Sequence, residues 1–248
     1  MSGVYNSKKI TEIKKEEDKV TLRTEDGISI TSKKLLVAAG KRFAFDALKL
    51  ENAGVKYVKS GIEVDDKYRT SVKHIYAVGD CNGEMMLTHA AMHQGMFAIM
   101  NAVSPLRMFK YRNYVIPWTV FSEPQVSFVG MQEEELKKKR IKYQVFTSKY
   151  ENYGAAIAEN VSVGYVKVFA SKWGKVFGAI IVGDGSGEMI NEWALIIQKK
   201  VRLYSVLFLA HSFPTMGFLT KRIAEQWMMA KMRSPLIKNI CRFCYRIL

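Results

Sequence analysis

In the stretch IYAVGDCNGEMMLTHAAMHQG (75–95), an acidic residue, Asp80, directly follows Gly79 at the end of a short apolar run. A carboxylate at the carboxyl end of a strand can accept hydrogen bonds from a polyol without needing a counter-charge. The competing reading is that Asp80 merely caps the turn at Gly79. Soon afterwards a helical pattern opens, with Thr88 as its expected N-cap and Pro105 closing it. The free N–H groups and positive end of such a helix suit an electron-rich ligand group. Met86, Leu87 and Thr88 are therefore candidate contacts, through backbone as much as side chain. Plain core packing of Met85, Met86 and Leu87 competes with that reading.

His89 and His93 stand four apart on one face of the same helix, a metal-ligand spacing, but no third ligand lies nearby in the sequence. Cys81 reads as a small buried residue, not as a nucleophile. Cys241 and Cys244 form a C-x-x-C, a weak metal signal without a second ligand pair. The glycine cluster GDGSG (183–187) lacks the G-x-G-x-x-G spacing of a dinucleotide loop.

These residues need elements to position them. Residues 1–40 read as a small β-meander, with alternating runs at 19–23 and 28–31 around the turn signal EDG. KLLVAAG (34–40) then reads as a continuously buried strand, and IYAV (75–78) as a second one. After Pro117 the pattern changes to strands at WTVF, QVSFVG, 142–148, 164–170 and 175–182. These are interleaved with a charged surface helix (QEEELKKKR), an amphipathic helix at 186–200 and a final helix at about 216–232. SVLFLA (205–210) is a strand-sized apolar run. The predicted fold class is α/β plus α+β: a partial Rossmann-like region followed by an α+β domain with a mainly antiparallel sheet.

Composition sets outer bounds. The 248 residues are 48% hydrophobic and 25% charged, an ordinary globular balance. No apolar run approaches the roughly 20 residues of a spanning helix. Three cysteines are too few for a disulfide framework, which favours a reducing, cytoplasmic setting. The net charge of +15 is scattered and accompanies no nucleic-acid module, so no nucleic-acid partner is expected. The tail 233–248 mixes basic and apolar residues, which suits contact with a membrane surface or packing on another domain.

LLVAAG, GIEVDDKYRTSVKHIYAVGDCNG, LTHAAMHQGMFAIMNAV, IPWTVFSEPQVSFVGMQEEEL, GYVKVFASKWGKVFGAIIVGDGSGEMINEWALIIQ and HSFPT occur in this order. Together they resemble the C-terminal half of the flavoprotein disulfide reductases, in the manner of dihydrolipoamide dehydrogenase and mercuric reductase. The resemblance implies a remnant of an NAD(P)-binding domain at 1–42, the returning segment of an FAD-binding domain at 43–113, a dimerisation domain at 114–232 and a tail at 233–248. It implies FAD as cofactor, NAD(P) by family, and a homodimer formed through the C-terminal domain. It further implies that Gly79 and Asp80 face the ribityl chain, while Met86, Leu87, Thr88 and His89 lie near the flavin ring.

The pyrophosphate loop and the redox-active C-x-x-x-x-C of the family do not occur in these residues. Either the chain is a fragment, or a separate polypeptide supplies the front half. HSFPTMGF also departs from the family: Phe213 and Phe218 stand where dihydrolipoamide dehydrogenases carry an acid–base His and Glu. His211, a weak catalytic candidate, matches the non-catalytic His of that motif. Cys241 and Cys244 resemble the C-terminal pair of mercuric reductases, although that pair is adjacent. The expected function is the C-terminal portion of an FAD- and NAD(P)-dependent oxidoreductase, inactive by itself. The alternative is a non-catalytic dimerisation or interaction module derived from that family and associated with a membrane surface.

Overall fold

The computed structural model of the chain describes residues 3–104, 106, 110, 114–235, 237–239 and 242. It divides into two compact units, 1–44 and 45–248. The first is a meander of three antiparallel strands in the order β1 (Ile10–Glu16), β2 (Lys19–Thr24) and β3 (Ser29–Ser32). Ile13 pairs with Leu22, and Leu22 with Ile30. The EDG turn closes through Gly27 at φ 83° and through Thr24, whose Oγ1 accepts the Ile28 N–H at 3.2 Å.

The buried strand expected at 34–40 does not form. The segment joins no ladder, and Leu36 and Val37 are 91% and 71% exposed. An all-apolar strand of this kind needs a neighbour on each edge and cover on both faces. No strand of its own unit supplies either.

The second unit begins with the hairpin β4 (Tyr57–Val58) and β5 (Gly61–Ile62). The apolar run at 75–78 also predicts a strand. These residues run extended but meet another segment at a single bridge, Arg69 to Tyr76. The reason is the same as for 34–40, since no neighbouring strand stands alongside. Helix α1 (Thr88–Val103) follows, burying Ala90, Gln94, Phe97, Ala98 and Asn101. Phe97 and Ala98 pack with Tyr68 over Val64, Tyr76, Val78 and Tyr114.

The rest of the unit is a five-stranded antiparallel sheet in the order β6 (Trp118–Val120), β7 (Val126–Gly130), β10 (Val176–Val182), β9 (Tyr165–Ala170) and β8 (Gln144–Lys149). Its helices are α2 (Glu133–Lys138), α3 (Gly154–Ala158), α4 (Ser186–Gln198), α5 (Leu203–Phe208) and α6 (Phe218–Met232). Period-two burial of Val166 and Val168 on β9, and of Ala179 and Ile181 on β10, meets Trp193 and Ile190 of α4 and Ile223 and Trp227 of α6 in one core. The strand-sized run at 205–210 goes instead mostly into α5. There Leu203 and Val206, three apart, bury one helical face against that core.

On the surface, Glu133 accepts hydrogen bonds from Tyr143 Oη (3.0 Å) and Lys167 Nζ (3.2 Å) and pairs with Lys137 (3.1 Å). These contacts, led by Lys137, pull its carboxyl from 4.5 to about 2. A depressed folded value stabilises fully above the ordinary one and is lost as pH falls through the folded one. Glu133→Gln is therefore expected to lower the melting temperature slightly at neutral pH and to flatten its decline between pH 4.5 and about 2. Thermal scans across that range test this.

Candidate functional site

Asp80 sits, half-buried, in a 3-10 turn (Gly79–Asn82) that enters from the extended Val78 and leaves through Gly83 at φ 72°. Gly79 adopts φ 77°, and a Cβ there would stand 3.0 Å from the Cβ of Ala91 on α1. The turn is tied to α1 by one buried side chain. Gln94 Oε1 accepts the Gly79 N–H at 2.6 Å and the Asn82 Nδ2–H at 2.9 Å. Asn82 also donates to the Ala77 carbonyl at 3.3 Å, and its Oδ1 accepts the Glu84 N–H at 3.1 Å. On the other side the turn meets the β4–β5 hairpin, backbone against backbone: a Cβ on Gly83 would lie 1.9 Å from the Ser60 carbonyl oxygen. Asp80 is thus held on a rigid turn fixed from two directions.

Helix α1 starts next to that turn without a cap. Leu87, in extended conformation, occupies the cap position, no side chain caps the first turn, and no acidic residue lies in it. Thr88, expected as the cap, is instead the first helical residue. At that position its hydroxyl is already past the N–H groups that a cap would serve. Met86, Thr88 and His89 are exposed and Leu87 is half-buried. A carboxylate and an open helix start set close along the chain can hold a polyol and an electron-rich ring edge together.

The inner face of α1 is fixed by Gln94, whereas its outer face is bare. Met92, Met96, Ile99, Met100 and Val103 recur at helical spacing and are 72%, 47%, 67%, 36% and 79% exposed. An exposed apolar stripe of this extent marks a surface made to be covered.

The two histidines of α1 make separate contacts. His89 Nε2 lies 2.7 Å from the Pro117 carbonyl. His93 packs edge-on to Phe97 and Tyr114, with Nε2 buried and without a hydrogen-bond partner. Burial pushes the His93 imidazole below its ordinary value. Both line a cavity of about 380 Å³ with Tyr114, Ile116, Leu195 and Gln198. Among the described residues no group of three His, Cys, Asp or Glu is placed to hold a metal ion. Cys81 donates to the Val78 carbonyl at 3.2 Å, and burial pushes its thiol up, away from thiolate chemistry. Cys241, Cys244 and Pro105 lie outside the described residues.

His211 has a partner that the sequence did not announce. Its Nε2 lies 3.0 Å from Glu192 Oε1 on α4, and its Nδ1 lies 3.2 Å from the Leu209 carbonyl. Both ring nitrogens are engaged and the side chain is 8% exposed, so His211 braces the loop before Pro214. Phe213 stands 70% exposed in that loop. The GDGSG turn is structural too. A Cβ on Gly183 would lie 2.6 Å from the Tyr150 ring, and Tyr150 Oη donates to the Asp184 carbonyl at 2.9 Å.

Residues 3–95 match the family model described as pyridine nucleotide-disulphide oxidoreductase, and residues 116–222 match the model for its dimerisation domain. A dihydrolipoyl dehydrogenase of Buchnera aphidicola subsp. Acyrthosiphon pisum is 34% identical over 185 residues, 74% of this chain and 39% of that protein. The Haloferax volcanii dihydrolipoyl dehydrogenase is 34% identical over 211 residues, 83% of this chain and 44% of that protein. Among solved structures, LpdA from Mycobacterium tuberculosis aligns over 88% of this chain and 48% of its own, at TM-score 0.79 and 23% identity. The HOCl-induced flavoprotein disulfide reductase RclA from Escherichia coli aligns over 87% and 50%, at TM-score 0.76 and 24% identity. These likenesses establish the fold: a Rossmann-like portion followed by an antiparallel dimerisation domain. The chain spans less than half the length of these two curated relatives and about half that of the solved chains.

Proposed function

We propose, from the premise that the chain belongs to the pyridine nucleotide-disulphide oxidoreductase family, the flavoprotein disulfide reductases, that residues 75–95 form one wall of an FAD site. The family is FAD-dependent and uses NAD(P). In this reading Asp80 accepts the ribityl hydroxyls, and the open start of α1 at Met86, Leu87, Thr88 and His89 faces the ring edge. Residues 1–42 belong with an NAD(P)-binding domain, 43–113 with the FAD-binding domain, and 114–232 pair two copies into a homodimer. Bound there, the flavin would supply two-electron transfer between a nicotinamide and a dithiol or related acceptor. This chain's own residues bind and orient it, and hold the dimer together.

The observation that carries the reading is the bare outer stripe of α1 beside the Asp80 turn. A helix that anchors a ligand-type turn on one face and leaves five apolar residues open on the other is shaped to be covered. A front half bearing the pyrophosphate loop and the redox cysteines would cover it, and the uncovered 34–40 segment supports the same conclusion. By itself the chain is then expected to bind FAD weakly and to turn over no NAD(P)H.

Flavin fluorescence quenching tests this, with the chain alone and with the front half of a dihydrolipoyl dehydrogenase added. Uptake is expected with the added half and not without it. Asp80→Ala should weaken that uptake by about 10-fold or more, the loss of one to two buried hydrogen bonds. Micromolar binding by the chain alone would overturn the shared-site reading. No uptake with any front half would overturn the site itself.

A further inference from the structure

The sheet hairpin 171–175, the turn 199–202 and the end of α6 meet at one end of the second unit. The Leu203 N–H donates to the Gly174 carbonyl at 2.8 Å, Lys175 bridges to Arg202, and a Cβ on Gly174 would touch the Trp227 ring. Lys172 and Lys175 project from the hairpin, Lys199, Lys200 and Arg202 from the turn, and Lys231 from α6. All are exposed except Lys231, which is half-buried. The stretches 171–175, 198–203 and 226–238 contain no Asp or Glu. None of the ion pairs among the described residues involves these six cations. Elsewhere on the surface Lys137, Lys139, Lys149 and Lys167 each have a carboxylate partner, so the scattered charge of the sequence becomes, at this end, a field of one sign.

At the centre of the field stands Trp173, 62% exposed. Lys172 and Lys231 place their ammonium groups 5.2 and 5.1 Å from its ring. Lys231 also sits 4.3 Å from the buried Trp227 ring, which fixes it to the platform. An indole held among ammonium groups matches the headgroup level of a bilayer, where amphipathic rings and basic side chains collect. Single-stranded nucleic acid would stack its bases on an open aromatic face, and these cations already lie over this ring. The chain leaves α6 at this same end. Beyond Arg233 its sequence alternates Leu236, Ile237, Ile240 and Phe243 with Lys238, Arg242 and Arg246.

We propose that this end of the molecule is a docking surface for an anionic phospholipid bilayer, with Trp173 as its interfacial anchor and the six cations as its electrostatic attraction.

Co-sedimentation of the full chain with vesicles tests it. One set would be pure phosphatidylcholine, the other an equimolar mixture of phosphatidylcholine and phosphatidylserine. Retention is expected on the mixed vesicles, falling as salt rises, with little on the pure ones. Changing Lys172, Lys175 and Lys200 together to Gln should weaken it about 100-fold, at about 1 kcal/mol per basic residue. Trp173→Phe should remove the blue shift of tryptophan emission on binding, because Trp193 and Trp227 are buried and the half-buried Trp118 packs on β6 against Phe128, outside this surface. All four positions are exposed, so these variants keep the wild-type melting temperature. Retention on pure phosphatidylcholine, retention unchanged in the triple variant, or duplex DNA capturing the chain at physiological salt while mixed vesicles do not, would each overturn the proposal.

Discussion

Gln94→Leu is expected to lower stability by about 2–4 kcal/mol and to abolish flavin uptake in the complemented protein. Gln94 is 4% exposed, and its carbonyl is the acceptor for two donors, the Gly79 N–H and the Asn82 amide. The amide orientation is fixed, because a backbone N–H can only meet an oxygen. Leucine fills nearly the same volume, so packing is preserved while both donors lose their acceptor. Asn82 keeps its bond to the Ala77 carbonyl, but Gly79 has no second partner of this kind. Unpaired buried donors cost roughly 1–3 kcal/mol each. The turn would relax away from α1, and Asp80 rides on that turn. Gln94→Glu separates the causes, since a carboxyl oxygen still accepts both bonds. Burial favours the neutral acid, whose carbonyl oxygen still accepts both bonds, so the loss in this variant should shrink as pH falls and the new carboxyl protonates, while that of Gln94→Leu does not change in this way. Urea unfolding of the three proteins at two pH values checks the ranking. Equal losses in both variants would mean that the two bonds Gln94 accepts do not carry its contribution.

How far the sequence disclosed this arrangement depended on where the information sits. The antiparallel hairpins were legible because each strand's period-two pattern is answered by its immediate neighbour in the chain: β2 by β3 across EDG, and β9 by β10 across SKWG. Helix α1 was legible to its last residue, Val103. KLLVAAG and IYAV read as strands in the sequence but form none, because an apolar run reports that a segment wants burial, not that its partners are present. Gln94 and Asn82 were missed although a signal existed. Gln94 shares its helical face with Ala90, Phe97, Ala98 and Asn101, and a polar residue on a buried face must be bonded to something. Glu192 was missed for a different reason. It meets His211 through the packing of α4 against the following loop, and nothing in a separation of 19 residues encodes that.

The same turn predicts a second large effect from two glycines. Gly83→Ala would bring a methyl group to 1.9 Å from the Ser60 carbonyl oxygen, and Gly61→Ala would bring one to 2.5 Å from the Asn82 carbonyl carbon. Both neighbours are backbone, so no side chain can swing aside. Gly83 also has φ 72° and Gly61 φ 151°, conformations that alanine adopts at a cost of about 1–2 kcal/mol. Adding about 1–3 kcal/mol for forced overpacking, each variant should lose roughly 3 kcal/mol or more in urea unfolding. The two clashes are reciprocal, because each pushes the β4–β5 hairpin away from the Asp80 turn. Once the first substitution has separated them, the second has less to displace, so the double variant should lose clearly less than the sum of the singles. Strict additivity would mean that hairpin and turn yield independently. In that case flavin uptake in the complemented Gly61→Ala protein should survive, because the turn that carries Asp80 would not have moved.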